Sequence, residues 1–300
     1  MKRWILTGPC LAALLALQAG GAALAQAPVN PKLQEQLKLQ EDIYRSRGEK
    51  VPDGYVINRS LLAYSFTLPD EFSYSLADLG ANDRWLDIGA GEGQAVLDYY
   101  ADRYDLINPR GRGKRGSKAK AVAMSIEDRR TPEWQQTADK LEPGSIQYLY
   151  GKRLRDYSSE ELGRFRLLTD VIGGFSYAND LTLYMQRVLA ILETNGSFYS
   201  VLQDVHSEEG SNKPHYANSP YLTEIVDADG SELKVCAWLK RIACVQVSCE
   251  LRTGWRPNIE VYNVRKTCDE VAVPPLTPVH YEAGTPPERR YQVRTAAPLK

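Results

Sequence analysis

Apolar and polar positions along the middle of the chain fall into blocks whose period switches back and forth. Trp85–Ile88, Ala121–Ile126, Ile146–Tyr150, Leu167–Ile172 and Ser197–Leu202 are short apolar runs with the length of buried strands. Gly93–Asp102, a polar stretch over Pro132–Lys140 and the amphipathic Asp180–Leu192 read as helices, with Leu162–Arg166 as a short helical turn and Asn195-Gly196 as a helix stop. Ser231–Ile242 reads as a last helix, and Cys244–Leu251 and Ile259–Lys266 as two strands joined by a turn containing Gly254, Pro257 and Asn258. Strands alternating with helices predict an α/β fold around a parallel sheet. The two final strands have no crossover helix between them, so one must run antiparallel. The expected core is a seven-stranded, mostly parallel sheet with a C-terminal antiparallel β-hairpin and helices on both faces.

The flanks read differently. Residues 1–25 carry Met1-Lys2-Arg3, an apolar stretch from Ile5 to Leu17 and the small residues Ala23-Leu24-Ala25, the layout of a signal peptide cut after Ala25. Residues 26–80 form an N-terminal extension, with a helix expected over Pro31–Arg47 and an ambiguous aromatic-rich run holding Tyr64, Phe66, Phe72 and Tyr74. That run serves either as a cap on the sheet edge or as a cover over a ligand mouth. Residues 81–270 form the α/β domain, and the Pro-rich tail 271–300 is expected to be extended or disordered.

Cysteine usage agrees with export. Removing the leader with Cys10 leaves Cys236, Cys244, Cys249 and Cys268, an even set without Cys-x-x-Cys or a zinc-finger histidine spacing. Three pairings are possible. A hairpin centred on Arg256 sets Cys244 opposite Cys268 and leaves Cys236 for Cys249, although a slip of one register undoes the argument. The net charge of −1 gives no global sign of nucleic-acid or membrane-surface binding. After leader cleavage no stretch is long enough for stable membrane insertion.

The chemistry concentrates in RWLDIGAGEGQAVLDYY, residues 84–100. A strand runs into Gly89-Ala90-Gly91-Glu92-Gly93 and then into a helix, so the backbone turns sharply where a ligand can approach it. The dinucleotide fingerprint needs a third glycine at position 94, which is Gln94, and no Gly-Lys-Ser/Thr closes a phosphate loop. Asp87, two residues before the first glycine, suits a cationic ligand. LDIGAGEG resembles the first motif of the class I, Rossmann-like S-adenosylmethionine (SAM) methyltransferases, and the strand order fits that family over about residues 80–268.

The resemblance implies SAM as cofactor. It implies that Asp87, Gly89, Ala90, Gly91 and Gly93 hold its methionine end, and that an acid after the second strand holds the ribose. Ser125 stands at the family's acid position, so Glu127 or Asp128 takes that role by a small shift. After the third strand Lys152 replaces the usual acid near the adenine, with Asp156 as a later alternative. Gly173 and Gly174 let the chain pass close under the cofactor, with Phe175 and Tyr177 towards a substrate. His206 is the candidate general base, since neutral imidazole takes a proton near pH 7.

The motif used by amino-methylating nucleic-acid enzymes after the fourth strand is absent. The basic loop Asn108–Lys120 lies at the sheet end away from the cofactor and has no interleaved aromatics, so no nucleic-acid partner is expected. The leading expectation is an exported SAM-dependent methyltransferase, periplasmic or secreted, acting on a small-molecule or envelope-associated acceptor. The alternative is an exported pseudoenzyme that keeps the fold as a binding or scaffolding module.

Overall fold

The computed structural model describes residues 59–103, 118–203, 223–252, 259–282 and 287–294. The expected leader, the helix over Pro31–Arg47 and the loop carrying His206 lie outside the described residues. In chain order the elements are α1 (Leu61–Thr67), α2 (Asp70–Ala77), β1 (Arg84–Ile88), α3 (Gln94–Tyr100), β2 (Lys120–Met124), α4 (Pro132–Ala138) and β3 (Ile146–Leu149). A 3₁₀ turn at Leu154–Asp156 precedes α5 (Ser159–Leu162), β4 (Phe165–Val171), α6 (Gly174–Tyr177), α7 (Leu181–Ile191) and β5 (Leu192–Gln203). Then come β6 (Thr223–Val226), β7 (Glu232–Leu233), α8 (Val235–Leu239), β8 (Val245–Arg252), β9 (Ile259–Lys266), β10 (Leu276–Glu282) and β11 (Glu288–Val293).

Seven strands form one sheet in the order β3-β2-β1-β4-β5-β9-β8, with β9 antiparallel to both its neighbours and the other strands parallel. The fold is α/β and Rossmann-like, as its sequence pattern predicts. Strand side chains alternate between two cores. Trp85, Ala121 and Leu167 meet α1 to α4 through Leu61, Phe72, Val96 and Trp134, while Leu86, Val122 and Leu168 meet α6 and α7 through Phe175, Met185 and Val188. Helix starts follow local chemistry. Ser60, Thr131, Ser158 and Asp180 each accept a hydrogen bond from the backbone N–H of the third residue of the helix they cap.

Four expectations need correction. The described part of the tail is folded: β10 and β11 join β6 and β7 in a second sheet of order β10-β11-β6-β7. Its Pro278 sits at a register irregularity on the edge strand β10, where a missing N–H is tolerated, while Tyr291 and Arg289 of β11 are buried. Ser231–Ile242 is not one helix, because Leu233 pairs with Ile225 in this sheet and helix begins only at Val235. Leu162–Arg166 spans the end of α5 and the start of β4, since the Ser158/Glu161 capping box sets the helix earlier. Asn195-Gly196 does not stop a helix. Asn195, at φ +66, lies in a bulge of β5 between the Phe165–Leu192 and Leu167–Ser197 pairs.

The cysteines pair as Cys236–Cys249 and Cys244–Cys268, with Cα separations of 6.2 and 5.1 Å. The hairpin register is one residue off the expected one. Val245 pairs with Lys266, which aligns Cys244 with Thr267, yet Cys268 remains within reach. Cys236, Cys249 and Glu260 bring possible metal-ligand atoms within 4.8 Å of one another, but the two sulfurs are already bonded together. Among the described residues no helix is long and apolar enough to cross a membrane. The expected result of thiol titration on denatured, unreduced protein lacking residues 1–25 is no reactive cysteine, and peptide mapping should recover these two crosslinks. Four free thiols would contradict the assignment.

Candidate functional site

The Gly-rich turn is a backbone object. Gly89, Gly91 and Gly93 have φ of +73, +59 and +78°, a region that side chains with a Cβ rarely adopt. The amides of Gly89 and Ala90 both donate to the carbonyl of Met124 at 2.9 Å, which fixes the turn to the end of β2. Space is as demanding as conformation. A Cβ on Gly89 would lie 2.7 Å from the Cα of Gly173, and one on Gly173 would lie 2.6 Å from the carbonyl oxygen of Ile88. The turn after β1 and the turn after β4 therefore rest backbone against backbone, at the end of the sheet where ligands bind in open α/β folds.

Beneath the turn Asp87 is wholly buried. The Tyr64 hydroxyl, from α1, spans its two carboxylate oxygens at 3.0 and 3.1 Å, and Thr169 Oγ1 donates to Oδ1 at 2.7 Å. Trp85 Nε1 in turn donates to Thr169 Oγ1 at 2.9 Å, which orients that hydroxyl. Burial raises the Asp87 carboxyl to about 7, against the lowering effect of the Thr169 and Tyr64 hydrogen bonds. The N-terminal helices are held down independently, by the Leu61 amide on buried Asp98 at 3.0 Å and by Ser75 on Tyr199 at 2.8 Å.

On β4 a second buried carboxylate, Asp170, accepts from the amides of Gly173 and Phe175, both at 2.8 Å, and from the Tyr184 hydroxyl. Burial raises it to about 6, opposed by those same bonds. The turn it organises passes through Ile172 at φ +54°, a left-handed conformation that is strained for a β-branched residue. Arg59 acts electrostatically on Asp87, Asp170 and Tyr177, lowering the pKa of all three.

The structure thus brings Asp87, Gly89, Ala90, Gly91, Gly93 and Gly173 together and adds Tyr64, Thr169 and Asp170. The other candidates are engaged differently. Glu127 accepts from Arg129 Nε at 2.8 Å, and Asp128 is gripped by Arg130 Nε at 2.8 Å and Nη2 at 2.6 Å. Lys152 is not drawn into the cluster; its Nζ pairs with Glu161 of α5 at 2.9 Å on the surface. Tyr177 is half-buried at the end of α6, and burial raises its phenol pKa. Tyr148, missed in the sequence, bonds the Gly91 carbonyl through its hydroxyl and approaches the Glu127 carbonyl at 3.4 Å. A tyrosine inside a strand carries no sign of that target, whereas Asp170 was detectable as a lone acid in an apolar run.

No protein-family model matches the sequence, and no curated protein sequence matches it significantly. Solved structures do resemble it. The N-methyltransferase NodS from Bradyrhizobium japonicum WM9 is 11% identical at a TM-score of 0.41, over 66% of this chain and 94% of that one. An rRNA methylase from Streptococcus thermophilus is 12% identical at 0.39, over 71% and 100%. Phosphoethanolamine N-methyltransferase 2 from Haemonchus contortus, solved with SAM, is 10% identical at 0.42, over 73% and 62%. These are likenesses of fold, and they bring no residue correspondence with them.

The raised carboxyl of Asp87 makes stability depend on pH in a definite direction. A carboxyl whose folded pKa lies above its unfolded value favours the fold fully below about pH 4, and that contribution is lost as pH rises towards 7. Asp87→Asn removes the charge and keeps an acceptor for the Tyr64 hydroxyl. Thermal melts of the ligand-free protein at pH 8 should therefore show the variant more stable by roughly 2 kcal/mol, or about 4–8 °C. Near pH 4 the two should melt together. A variant less stable than wild type at pH 8 would show that Asp87 is not held against its ionisation.

Proposed function

We propose that the chain binds SAM across the C-terminal ends of β1, β2 and β4 and transfers its methyl group to a small nucleophile. The observation that carries this reading is the pair of turns at Gly89 and Gly173, packed with no room for a Cβ beside a buried carboxylate. Such a backbone floor is costly to build and serves close approach by a ligand. Asp87 would favour the ammonium of the methionine end, with the Tyr64 hydroxyl between them or displaced. The turn from Gly89 to Gly93 would lie along the same end, and Gly173 would form the floor below the sulfonium. Glu127 would take the ribose hydroxyls by sharing its carboxylate with Arg129. When bound, SAM supplies an activated methyl group, so the protein's contribution is alignment and exclusion of water. Tyr177 would face the acceptor, and His206 remains the proposed base.

A second reading has its own support. Asp87 is already engaged by the Tyr64 and Thr169 hydroxyls, and both acids after β2 are paired with arginines. A scaffold that has closed its cofactor site would be arranged this way. The two disulfides also fit an exported protein, where SAM would have to be delivered.

Calorimetric titration of the mature protein with SAM and with S-adenosylhomocysteine separates the readings. Binding should release protons near pH 7, because an ammonium close to Asp87 pulls its pKa down from about 7. The apparent enthalpy should then change with the ionisation heat of the buffer. Asp87→Ala should weaken binding by at least about thirtyfold, since truncating one side of a desolvated charge pair costs about 2–5 kcal/mol. Folded wild type that gives no heat and no thermal shift at millimolar ligand would leave the scaffold.

A further inference from the structure

Arg289 lies on β11, in the tail, and is entirely buried. Buried guanidinium groups ordinarily face a carboxylate, because an isolated charge in the interior is costly. Among the described residues Arg289 has no acidic partner. Its donors go instead to neutral oxygens. Nη1 donates to the carbonyls of Phe175 at 2.9 Å and Ala178 at 2.7 Å, while Nη2 and Nε reach the hydroxyl of Thr223, directly across from it on β6, at 2.8 and 3.2 Å.

Those two carbonyls belong to the turn whose amides are held by Asp170. The segment from Gly173 to Ala178 is therefore gripped at one end by a carboxylate and at the other by a guanidinium, each complementing the exposed backbone groups it meets. The turn also contains Ile172 at φ +54° and presses Gly173 onto Gly89. A strained backbone persists only where its surroundings over-determine it. A methionine would fill the space of Arg289 at lower desolvation cost, but it would take the guanidinium from the Phe175 carbonyl and leave the Ala178 carbonyl only the Tyr291 hydroxyl at 3.2 Å.

We infer that Arg289 is a positioning residue for the floor of the proposed cofactor site, and that the C-terminal strand is a working part of that site. It acts through the turn: holding Phe175 and Ala178 fixes where Gly173 meets Gly89. The inference rests on the reading of that site as a SAM site. It also accounts for a charged residue buried beside Tyr291 and Leu276 in the tail.

The test compares Arg289→Met, Arg289→Lys and, as control, Leu276→Ala, which truncates a buried side chain of the same second sheet and leaves the hydrogen bonds of Arg289 in place. S-adenosylhomocysteine affinity by calorimetry and amide hydrogen exchange over residues 173–178 are read beside melting temperature. Arg289→Met should bind at least tenfold more weakly and exchange faster at the turn. Arg289→Lys, which keeps a donor for one carbonyl, should recover part of the loss. Leu276→Ala should lower the melting temperature and leave affinity unchanged. Affinity that follows melting temperature across all three variants, or wild-type affinity in Arg289→Met, overturns the inference. Where Arg289→Met does not fold, Thr223→Val removes the acceptor that orients the guanidinium, and a loss of about threefold is expected; no loss overturns the inference. If wild type itself does not bind, the SAM reading falls, and unchanged exchange at the turn in Arg289→Met then overturns the positioning role by itself.

Discussion

A carboxylate cut off from water must be satisfied wholly by protein donors, and at Asp87 that requirement joins three distant parts of the chain. Tyr64 comes from the N-terminal extension, Thr169 from the neighbouring strand β4, and Asp87 itself is the penultimate residue of the strand that feeds the glycine turn. The arrangement holds the carboxyl near its switching point around neutral pH, where a nearby cation would tip it to the charged form. The extension is thus not a decoration on the sheet edge. It completes the polar shell of the residue on which the functional reading turns.

The second buried acid, Asp170, works on backbone instead. Its two amide partners set the turn after β4, and that turn meets the turn after β1 with no space for a side chain on either. The floor so formed belongs jointly to both turns, so neither can shift alone. Arg289 ties it to the second sheet, which arises from a tail whose proline content suggested no structure. Pro278 lies in the edge strand at its irregularity, Pro274 and Pro275 precede that strand and Pro287 precedes the next, so none removes a donor from the strand that supplies the buried groups.

The chain's own pattern determined the architecture of the main sheet. Strand and helix periods differ enough that five β-α units and a closing hairpin are readable, and the one antiparallel strand follows from the missing crossover. The glycine turn was equally legible, because positive φ and close approach leave almost no residue but glycine. The cysteine pairing was recoverable as well, since a hairpin limits which sulfurs can meet, and it survived a register error of one residue.

Only the tertiary structure decided what the polar residues face. Glu127 stood near the position of a ribose-holding acid but pairs with Arg129, and Lys152 turns to Glu161, because such contacts depend on neighbours folding nearby rather than on spacing. Tyr64 was one aromatic among several until α1 packed onto α3 and set its hydroxyl on Asp87. Arg289 lies in a tail that the sequence reads as extended or disordered. Its burial follows from pairing with β6, more than sixty residues earlier in the chain. Local periodicity records which face of an element is apolar; it carries no record of which distant group completes a buried hydrogen bond.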